Sequence, residues 1–305
     1  MKIGVIGIGG VGGYFGGKLA SLIEKDNTHN IHFIARNEHL RAIQKNGLII
    51  DTDEKVFTCH PDTASDQFDD LPQLDFCLIC VKSYDLDNVL IQLKPKVNKN
   101  TMILPLLNGV DIYTRVKSVL NECVVFPSCV YVGTHIEKPG TITQRGGNGI
   151  IHFGKDPDND FINPEIFTLF DESGIKYNWT DNPYTEIWSK FLFIASYGMV
   201  TAFSNKTIGE VVDTPQLVLY VKNIMKEIHE IAVRKNIQLP ETILEDSFMK
   251  WKKFPYDTKT SFQRDFEKKD KPDERDIFGG TIIRMGKEFG ISVKTTEEVY
   301  GFINA

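Results

Sequence analysis

The chain has 305 residues, of which 41% are hydrophobic and 25% are charged. At roughly 150 residues per domain this length predicts two domains, and the composition excludes a wholly disordered chain. With 35 basic and 41 acidic side chains the formal net charge is −6, so no global positive field favours nucleic acid as a partner.

Short apolar runs alternate with helical patterns in the first half of the chain, which predicts a parallel, doubly wound sheet. A hairpin-like segment over 48–58 interrupts this alternation, and 124–153 is strand-like with little helix. The predicted strands are 2–7, 31–35, 76–81, 102–107 and 175–179, and the predicted helices are 11–24, 37–45, 84–93 and 164–174.

The pattern changes after Pro183, which stands where a long helix begins and where its missing N–H costs least. We therefore expect an α/β Rossmann-type doubly wound sheet followed by an all-α C-terminal domain, with a boundary that gives domains 1–181 and 182–305. The predicted helices of the second domain are 184–203, 215–236, 241–253, 258–269 and 277–289.

The five cysteines are an odd number in a long chain and indicate a reducing compartment, with no disulfide framework or metal site. Cys77 and Cys80 form a C-x-x-C, but they lie in an apolar run typical of a buried parallel strand. The longest strongly apolar uncharged stretch, 191–203, has 13 residues, whereas a membrane span needs about 20. We expect a cytoplasmic protein with no membrane partner.

The first predicted strand runs directly into a G-x-G-x-x-G motif, and a predicted helix follows at once. In this context the motif indicates a dinucleotide site: Gly7 permits the tight turn, Gly9 lets the backbone approach a pyrophosphate, and Gly12 allows close packing of helix on strand. The helix N-terminus presents N–H groups to the phosphates. The predicted cofactor-binding residues here are Gly7, Ile8, Gly9, Gly10, Val11 and Gly12.

The end of the second strand bears on which dinucleotide binds. A carboxylate there would accept a hydrogen bond from the ribose of NAD, but this strand ends at Arg36, with no carboxylate before Glu38. A guanidinium suits the 2′-phosphate of NADP, so NADP(H) is the expected cofactor. Lys82 and Asn108 follow two further strands, at the sheet edge where ligands bind in such folds, although an Asn-Gly pair is also a common turn former.

These features together resemble the ketopantoate reductase (2-dehydropantoate 2-reductase) family, NADPH-dependent enzymes of pantothenate biosynthesis, over essentially the whole chain. The W-x-K helix start, the S-x-x-x-D and the E-x-D-x-x-x-G are more particular than the glycine motif. The segments that carry the resemblance are GIGGVG (7–12), Arg36, VKSYD (81–85), LLNGVD (106–111), EIWSKFLF (186–193), TSFQRD (260–265) and ERDIFGG (274–280).

The resemblance implies a role for several residues. Lys190 takes the general-acid position, and Asn108 lies between nicotinamide and substrate. Ser261 and Glu274 take positions that contact substrate and cofactor, with Asp273 as a competing carboxylate, and Lys82 joins Arg36 at the adenosine end of the cofactor.

The chemistry of ketone reduction agrees with this assignment of Lys190. Hydride moves to carbon while negative charge develops on oxygen, so a proton donor must be aimed at that oxygen. Lys190 opens the uncharged stretch FLFIASYGMVTAF, and a partly desolvated ammonium gives up its proton more readily. A lysine that merely snorkels from a long helix is the alternative.

One departure from the family pattern bears on the substrate. The family usually has asparagines four and eight residues after the lysine, whereas this chain has Ile194 and Gly198. Ser196, Tyr197 and Thr201 are the nearby polar candidates. Loss of two amides weakens recognition of a small hydroxy-keto acid.

Three hypotheses follow: a reductase of 2-dehydropantoate, a reductase of a more apolar 2-oxo acid, and a non-catalytic NADPH-binding sensor. Retention of Lys190, Ser261 and Glu274 speaks against the sensor, which needs none of them. In the two enzyme hypotheses a small 2-oxo acid is the partner, and the cleft between the domains closes over the cofactor. The apolar residues of the helical domain fit either a core or the interface of a homodimer.

Overall fold

A computed structural model of the chain describes residues 1–26, 28–269 and 271–304. Ala305, the last residue of the predicted second domain, lies outside these residues, as does Asp270 in the charged run 268–276. The chain divides into two compact units, of which the first contains Met1–Leu107 and Ile112–Pro183 and the second contains Asn108–Asp111 and Tyr184–Ala305. The prediction that the two domains are 1–181 and 182–305 stays a prediction.

The strands all belong to the first unit. They are β1 (Lys2–Ile6), β2 (Asn30–Ile34), β3 (Leu48–Thr52), β4 (Val56–Cys59), β5 (Thr63–Ser65), β6 (Phe76–Ile79), β7 (Met102–Pro105), β8 (Val124–Val125), β9 (Ser128–Tyr131), β10 (Thr134–Lys138), β11 (Thr141–Gln144), β12 (Ile150–Gly154) and β13 (Lys176–Thr180).

The helices belong to both units, with α1–α5 in the first. They are α1 (Gly10–Asp26), α2 (Asn37–Asn46), α3 (Leu86–Leu93), α4 (Ile112–Val119), α5 (Glu165–Glu172), α6 (Tyr184–Ser204), α7 (Ile208–Val212), α8 (Pro215–Arg234), α9 (Ile243–Met249), α10 (Ser261–Phe266), α11 (Thr281–Phe289) and α12 (Lys294–Asn304). A π-helical turn, Asp276–Gly280, precedes α11, and 3₁₀ turns occupy Phe68–Asp70, Lys94–Lys96 and Lys250–Lys253.

The main sheet of the first unit is parallel and has the strand order β5-β2-β1-β6-β7-β8. From β1 the chain moves outward through β2 and β5, then returns to β6 on the other side of β1, so the strand order reverses between β1 and β6. Ligands of such sheets bind outside the carboxyl ends of the strands at this reversal. The Rossmann-type fold predicted from the sequence is therefore confirmed, and it directs attention to the residues after β1, β2 and β6.

Two smaller sheets lie beside the parallel one in the first unit, in the orders β10-β11-β3-β4 and β13-β12-β9. The predicted hairpin over 48–58 is the antiparallel pair β3 and β4. The apolar core of this unit is continuous and includes Phe15, Phe33, Phe76 and Phe153, each fully buried.

The second unit is built around α6, whose residues are buried on almost all sides. A helix that is apolar all round is expected in the centre of a helical layer, and α8, α9, α10 and α12 all pack against this one. No helix among the described residues is long and apolar enough to cross a membrane.

Several predicted boundaries are wrong in detail. The strands predicted over 76–81 and 102–107 end at Ile79 and Pro105, so Cys80 follows its strand. The helix predicted over 258–269 extends only over Ser261–Phe266, because Thr260 caps its start by accepting a hydrogen bond from the Gln263 amide. The short elements β5, α4 and α7 are not among the predicted ones, and β5 and α7, with three and five residues, are too short for a periodic pattern.

Candidate functional site

The three motif glycines of the turn between β1 and α1, the glycine turn, have different surroundings. Gly7 has φ +92°, in the region that favours glycine. A Cβ on Gly12 would collide with the Gly7 carbonyl oxygen and lie 2.9 Å from the Cys80 Cβ, whereas a Cβ on Gly9 would meet no atom within 4 Å. Gly7 and Gly12 are thus required by the turn itself, while Gly9 leaves space open beside it.

That open space lies at the start of α1, where the Gly13 amide makes an early helical hydrogen bond to the Gly9 carbonyl, 2.8 Å long. The first N–H groups of a helix have no partner within the helix, and they carry its partial positive charge. A bare backbone beside a helix N-terminus fits a pyrophosphate. The turn therefore suits the diphosphate part of a dinucleotide.

Arg36 lies two residues beyond β2, and its side chain is 67% exposed. Its Nη2 donates to Asp85 Oδ2 at 2.6 Å. Asp85 stands immediately before α3 and has no role predicted from the sequence. Lys82, three residues beyond β6, is half-buried. The two residues predicted for the adenosine end therefore follow β2 and β6, the strands on either side of β1 in the parallel sheet. Asp85, a carboxylate with no predicted role, contacts one of them.

Cys77 is fully buried in the sheet, and Cys80 packs against Gly12 of the glycine turn. Burial raises the pKa of both thiols above the ordinary cysteine value. A buried thiol that keeps its proton is a poor nucleophile and a poor metal ligand. This supports the interpretation of the C-x-x-C as structural.

Lys190 and Asn108 meet within the second unit. The Lys190 Nζ donates to Asn108 Oδ1 at 2.8 Å, although the two residues are 82 positions apart in the chain. Lys190 is only 8% exposed, and it lies on the second turn of α6, at the beginning of the uncharged stretch. Because an amide oxygen accepts from its ammonium, the lysine has a defined position and is not a snorkelling surface residue.

The face of α6 that carries Lys190 continues through Ile194 and Gly198. Ile194 is half-buried and Gly198 is buried. A Cβ on Gly198 would lie 3.6 Å from the Cβ and Cδ1 of Phe262 in α10. The space that a family asparagine would use therefore borders an aromatic side chain.

The three side chains that carry a hydroxyl and could replace those asparagines are fully buried inside the protein. Tyr197 donates to the Phe248 carbonyl at 3.0 Å. Thr201 bonds the Gly198 carbonyl at 3.1 Å and the Thr260 hydroxyl at 2.9 Å. Ser196 is fully buried. None of these three therefore has the exposed hydroxyl that a substitute for the asparagines would need.

Gly198 is expected to tolerate alanine. It has no positive φ, and the new methyl would make ordinary van der Waals contact with Phe262, so Gly198→Ala should stabilise the protein by about 0.5–1 kcal/mol through the helix propensity of alanine. Urea unfolding of both proteins measures the difference. Destabilisation would mean that the interface of α6 with α10 is already filled.

Glu274 and Asp273 precede the π-helical turn, which packs on α6. The Asp273 carboxylate accepts from Arg275 Nε at 2.9 Å and from Nη2 at 2.7 Å, while Arg275 Nη1 donates to the Ile303 carbonyl at 2.9 Å. Asp273 thus holds the C-terminal helix in place through Arg275. Glu274, which is 3% exposed, remains the proposed working carboxylate.

Ser261 is exposed at the first position of α10, directly after the capping residue Thr260. Its helix packs on α6, as does the turn that follows Glu274. Of the predicted residues, Lys190 and Asn108 are thus in direct contact, and Ser261 and Glu274 lie on or beside elements that pack on the helix of Lys190. The glycine turn, Arg36 and Lys82 belong to the first unit.

Comparison with known proteins gives consistent results along the chain. A family model described as "Ketopantoate reductase PanE/ApbA" matches residues 3–158, and its C-terminal counterpart matches residues 182–305. The "Uncharacterized oxidoreductase YkpB" of Bacillus subtilis (strain 168) is 26% identical, with 98% of this chain and 97% of that protein covered. A "2-dehydropantoate 2-reductase" of Aquifex aeolicus is 25% identical, with 100% and 96% covered.

Solved structures agree with the sequence comparisons. The crystal structure of a PanE/ApbA family ketopantoate reductase from Ralstonia eutropha JMP134 has a TM-score of 0.90 at 26% identity, and the match covers 100% of this chain and 97% of that one. Because the first family model spans half of the chain and the second spans its helical part, the protein belongs to the ketopantoate reductase family of oxidoreductases.

Proposed function

We propose that this protein is an NADPH-dependent reductase of a small 2-oxo acid, and that 2-dehydropantoate, reduced to pantoate in pantothenate biosynthesis, is its substrate. The observation that carries the proposal is the Lys190–Asn108 pair: a lysine 8% exposed, held at 2.8 Å by an amide oxygen, in a chain of this family. A buried ammonium with a fixed direction is what protonation of a developing alkoxide requires.

The first unit supplies the cofactor site in this proposal. The glycine turn holds the pyrophosphate over the open side of Gly9, and Arg36 and Lys82 take the 2′-phosphate. When bound, the reduced nicotinamide supplies the hydride. Asn108 orients the reacting groups through its bond to Lys190.

The second unit supplies the acid and the substrate contacts. Lys190 Nζ gives one proton to the carbonyl oxygen as hydride reaches the carbonyl carbon, so the ketone becomes a hydroxyl and the lysine leaves the step neutral. Ser261, whose hydroxyl is exposed at the start of α10, contacts the substrate carboxylate. Glu274 accepts hydrogen bonds from hydroxyl groups of substrate and cofactor.

A second candidate keeps the reaction and changes the substrate to a more apolar 2-oxo acid. It is favoured by Ile194, which is half-buried on the face of Lys190, and by Gly198, which borders Phe262. Neither Ile194 nor Gly198 has a polar side-chain atom that could form a hydrogen bond with a substrate hydroxyl. A site that lacks a hydrogen-bond partner for this hydroxyl distinguishes poorly between substrates that differ by one hydroxyl.

Two substrates that differ by one hydroxyl decide between these candidates. 2-Dehydropantoate and trimethylpyruvate share the 2-oxo acid and the quaternary carbon, but trimethylpyruvate lacks the terminal hydroxyl. With the purified full chain and NADPH, we expect kcat/KM for 2-dehydropantoate to exceed that for trimethylpyruvate by about 100-fold or more if the hydroxyl is recognised. Equal values, or a preference for trimethylpyruvate, would support the apolar alternative. Tight NADPH binding without turnover on either acid would indicate a non-catalytic binder.

A further inference from the structure

The guanidinium expected to bind the 2′-phosphate already has an anionic partner in the protein. Arg36 Nη2 and Asp85 Oδ2 are 2.6 Å apart, with 67% of the arginine side chain and 26% of the aspartate side chain exposed. The two residues come from different strand ends, since Arg36 follows β2 and Asp85 precedes α3. Their contact brings a carboxylate to a position that the sequence alone marks as cationic.

This carboxylate changes what the arginine offers to an anion. A unit negative charge in contact with a guanidinium cancels most of its field at longer range, and it repels a second anion that approaches the same group. The local segment carries a further negative charge on exposed Glu38 in the first turn of α2. The two segments that carry Arg36 and Lys82 therefore also carry two carboxylates, of which Asp85 is in contact with Arg36.

We propose that Asp85 is a specificity-determining residue that weakens the discrimination of this protein in favour of the 2′-phosphorylated dinucleotide over its unphosphorylated counterpart. The inference rests on the proposed function, because it assumes that Arg36 faces the 2′ position of a bound cofactor. The 2′-phosphate carries up to two negative charges, so the Asp85 carboxylate repels it and lowers its affinity. A ribose hydroxyl in the same place is uncharged and is not repelled.

Asp85 could instead orient Arg36 for the phosphate, and the geometry argues against that role. Nη2 donates to a single carboxylate oxygen, so the contact lacks the two parallel bonds that fix a guanidinium plane. The arginine side chain is 67% exposed, and an exposed side chain loses rotamer entropy when an ion pair holds it in one conformation. Neutralisation of charge is then the larger effect of Asp85 on a ligand.

The helix that follows Asp85 provides a matched control. Asp87, two residues further on, is 73% exposed and pairs with Arg115 at 2.9 Å. Asp87→Asn removes the same charge from the same segment without touching Arg36. Asp85→Asn keeps a residue that is favoured at a helix start, so the fold of α3 should be retained, and Asp85→Ser is a second variant with the same property.

The experiment titrates the full chain and its variants with NADPH and with NADH at low ionic strength and measures both Kd values. For Asp85→Asn and Asp85→Ser we expect NADPH to bind about three- to tenfold more tightly, with NADH unchanged within about twofold. Asp87→Asn should leave the ratio of the two Kd values unchanged. The gain should shrink as salt is added, because an exposed charge is screened over about 10 Å at 0.1 M.

The outcomes separate this inference from the proposed function. If both dinucleotides bind and Asp85→Asn leaves their ratio unchanged or weakens NADPH, the role of Asp85 is overturned while the function stands. An equal gain in Asp87→Asn would also overturn it, since the effect would then be one of general charge. If neither dinucleotide binds the unaltered protein, both the function and the inference are wrong.

Discussion

Lys190→Ala is expected to lower kcat for 2-oxo acid reduction by about 10²- to 10⁴-fold, the range that a positioned acid contributes. The substitution removes the only atom of this side chain that can donate a proton and leaves Asn108 Oδ1 without the bond that it accepts from Lys190 at 2.8 Å. The glycine turn, which we propose as the dinucleotide site, lies in the other unit, so the Kd for NADPH should change little. Rapid-mixing measurement of NADPH oxidation, together with a binding titration, tests both parts.

Lys226→Ala is the matched control, because Lys226 is an exposed lysine on α8 in the same unit. It loses the same charge and should retain full activity. A loss of about tenfold or less in Lys190→Ala would remove the lysine from the role of proton donor. A large loss accompanied by equally weakened NADPH binding would assign it to the binding of the cofactor instead.

The features that the sequence predicted well depend on residues close together in the chain. Gly7, Gly9 and Gly12 lie within one turn, and the structure has a positive φ at Gly7, open space beside Gly9 and a crowded position at Gly12. The approach of a pyrophosphate to Gly9 stays a prediction. The parallel sheet was likewise predictable from the alternation of strands and helices. α6 has 21 residues and is buried on almost all sides, and an apolar segment of that length is too long for a strand, which identifies a buried helix.

The features that the sequence missed depend on contacts between distant residues. Arg36 and Asp85 are 49 positions apart, and no local pattern indicates that a carboxylate reaches the guanidinium. Asp273 competes with Glu274 for the role of the contacting carboxylate in the sequence, whereas in the structure its carboxylate binds Arg275, which in turn donates to the Ile303 carbonyl. Such pairings arise only when the fold brings separate elements together, so sequence reasoning names the candidate residues and the structure supplies their partners.

The glycine turn gives the second prediction, in which two substitutions should both weaken NADPH binding but only one should lower the free energy of unfolding. A Cβ on Gly9 meets nothing within 4 Å, so Gly9→Ala should leave the free energy of unfolding unchanged. The methyl would instead enter the space assigned to the pyrophosphate, and overpacking of about 1–3 kcal/mol corresponds to a weakening of NADPH binding by about ten- to hundredfold. Thermal unfolding and a binding titration of one preparation measure both quantities.

Gly12→Ala should destabilise the free protein itself, because its Cβ would collide with the Gly7 carbonyl oxygen and crowd Cys80 at 2.9 Å. We expect a loss of about 2–3 kcal/mol in the free energy of unfolding, and a loss of NADPH affinity of about 100-fold or more, since a displaced Gly7 carbonyl deforms the whole turn. Gly301→Ala, whose Cβ also meets nothing within 4 Å, is the control for the loss of a glycine as such.

The result for Gly9→Ala decides whether the open side of the turn belongs to the cofactor. If this variant binds NADPH as tightly as the unaltered chain, the open side faces no phosphate and the cofactor site lies elsewhere. If Gly9→Ala weakens NADPH binding without loss of stability, while Gly301→Ala does not, the space beside Gly9 belongs to the ligand.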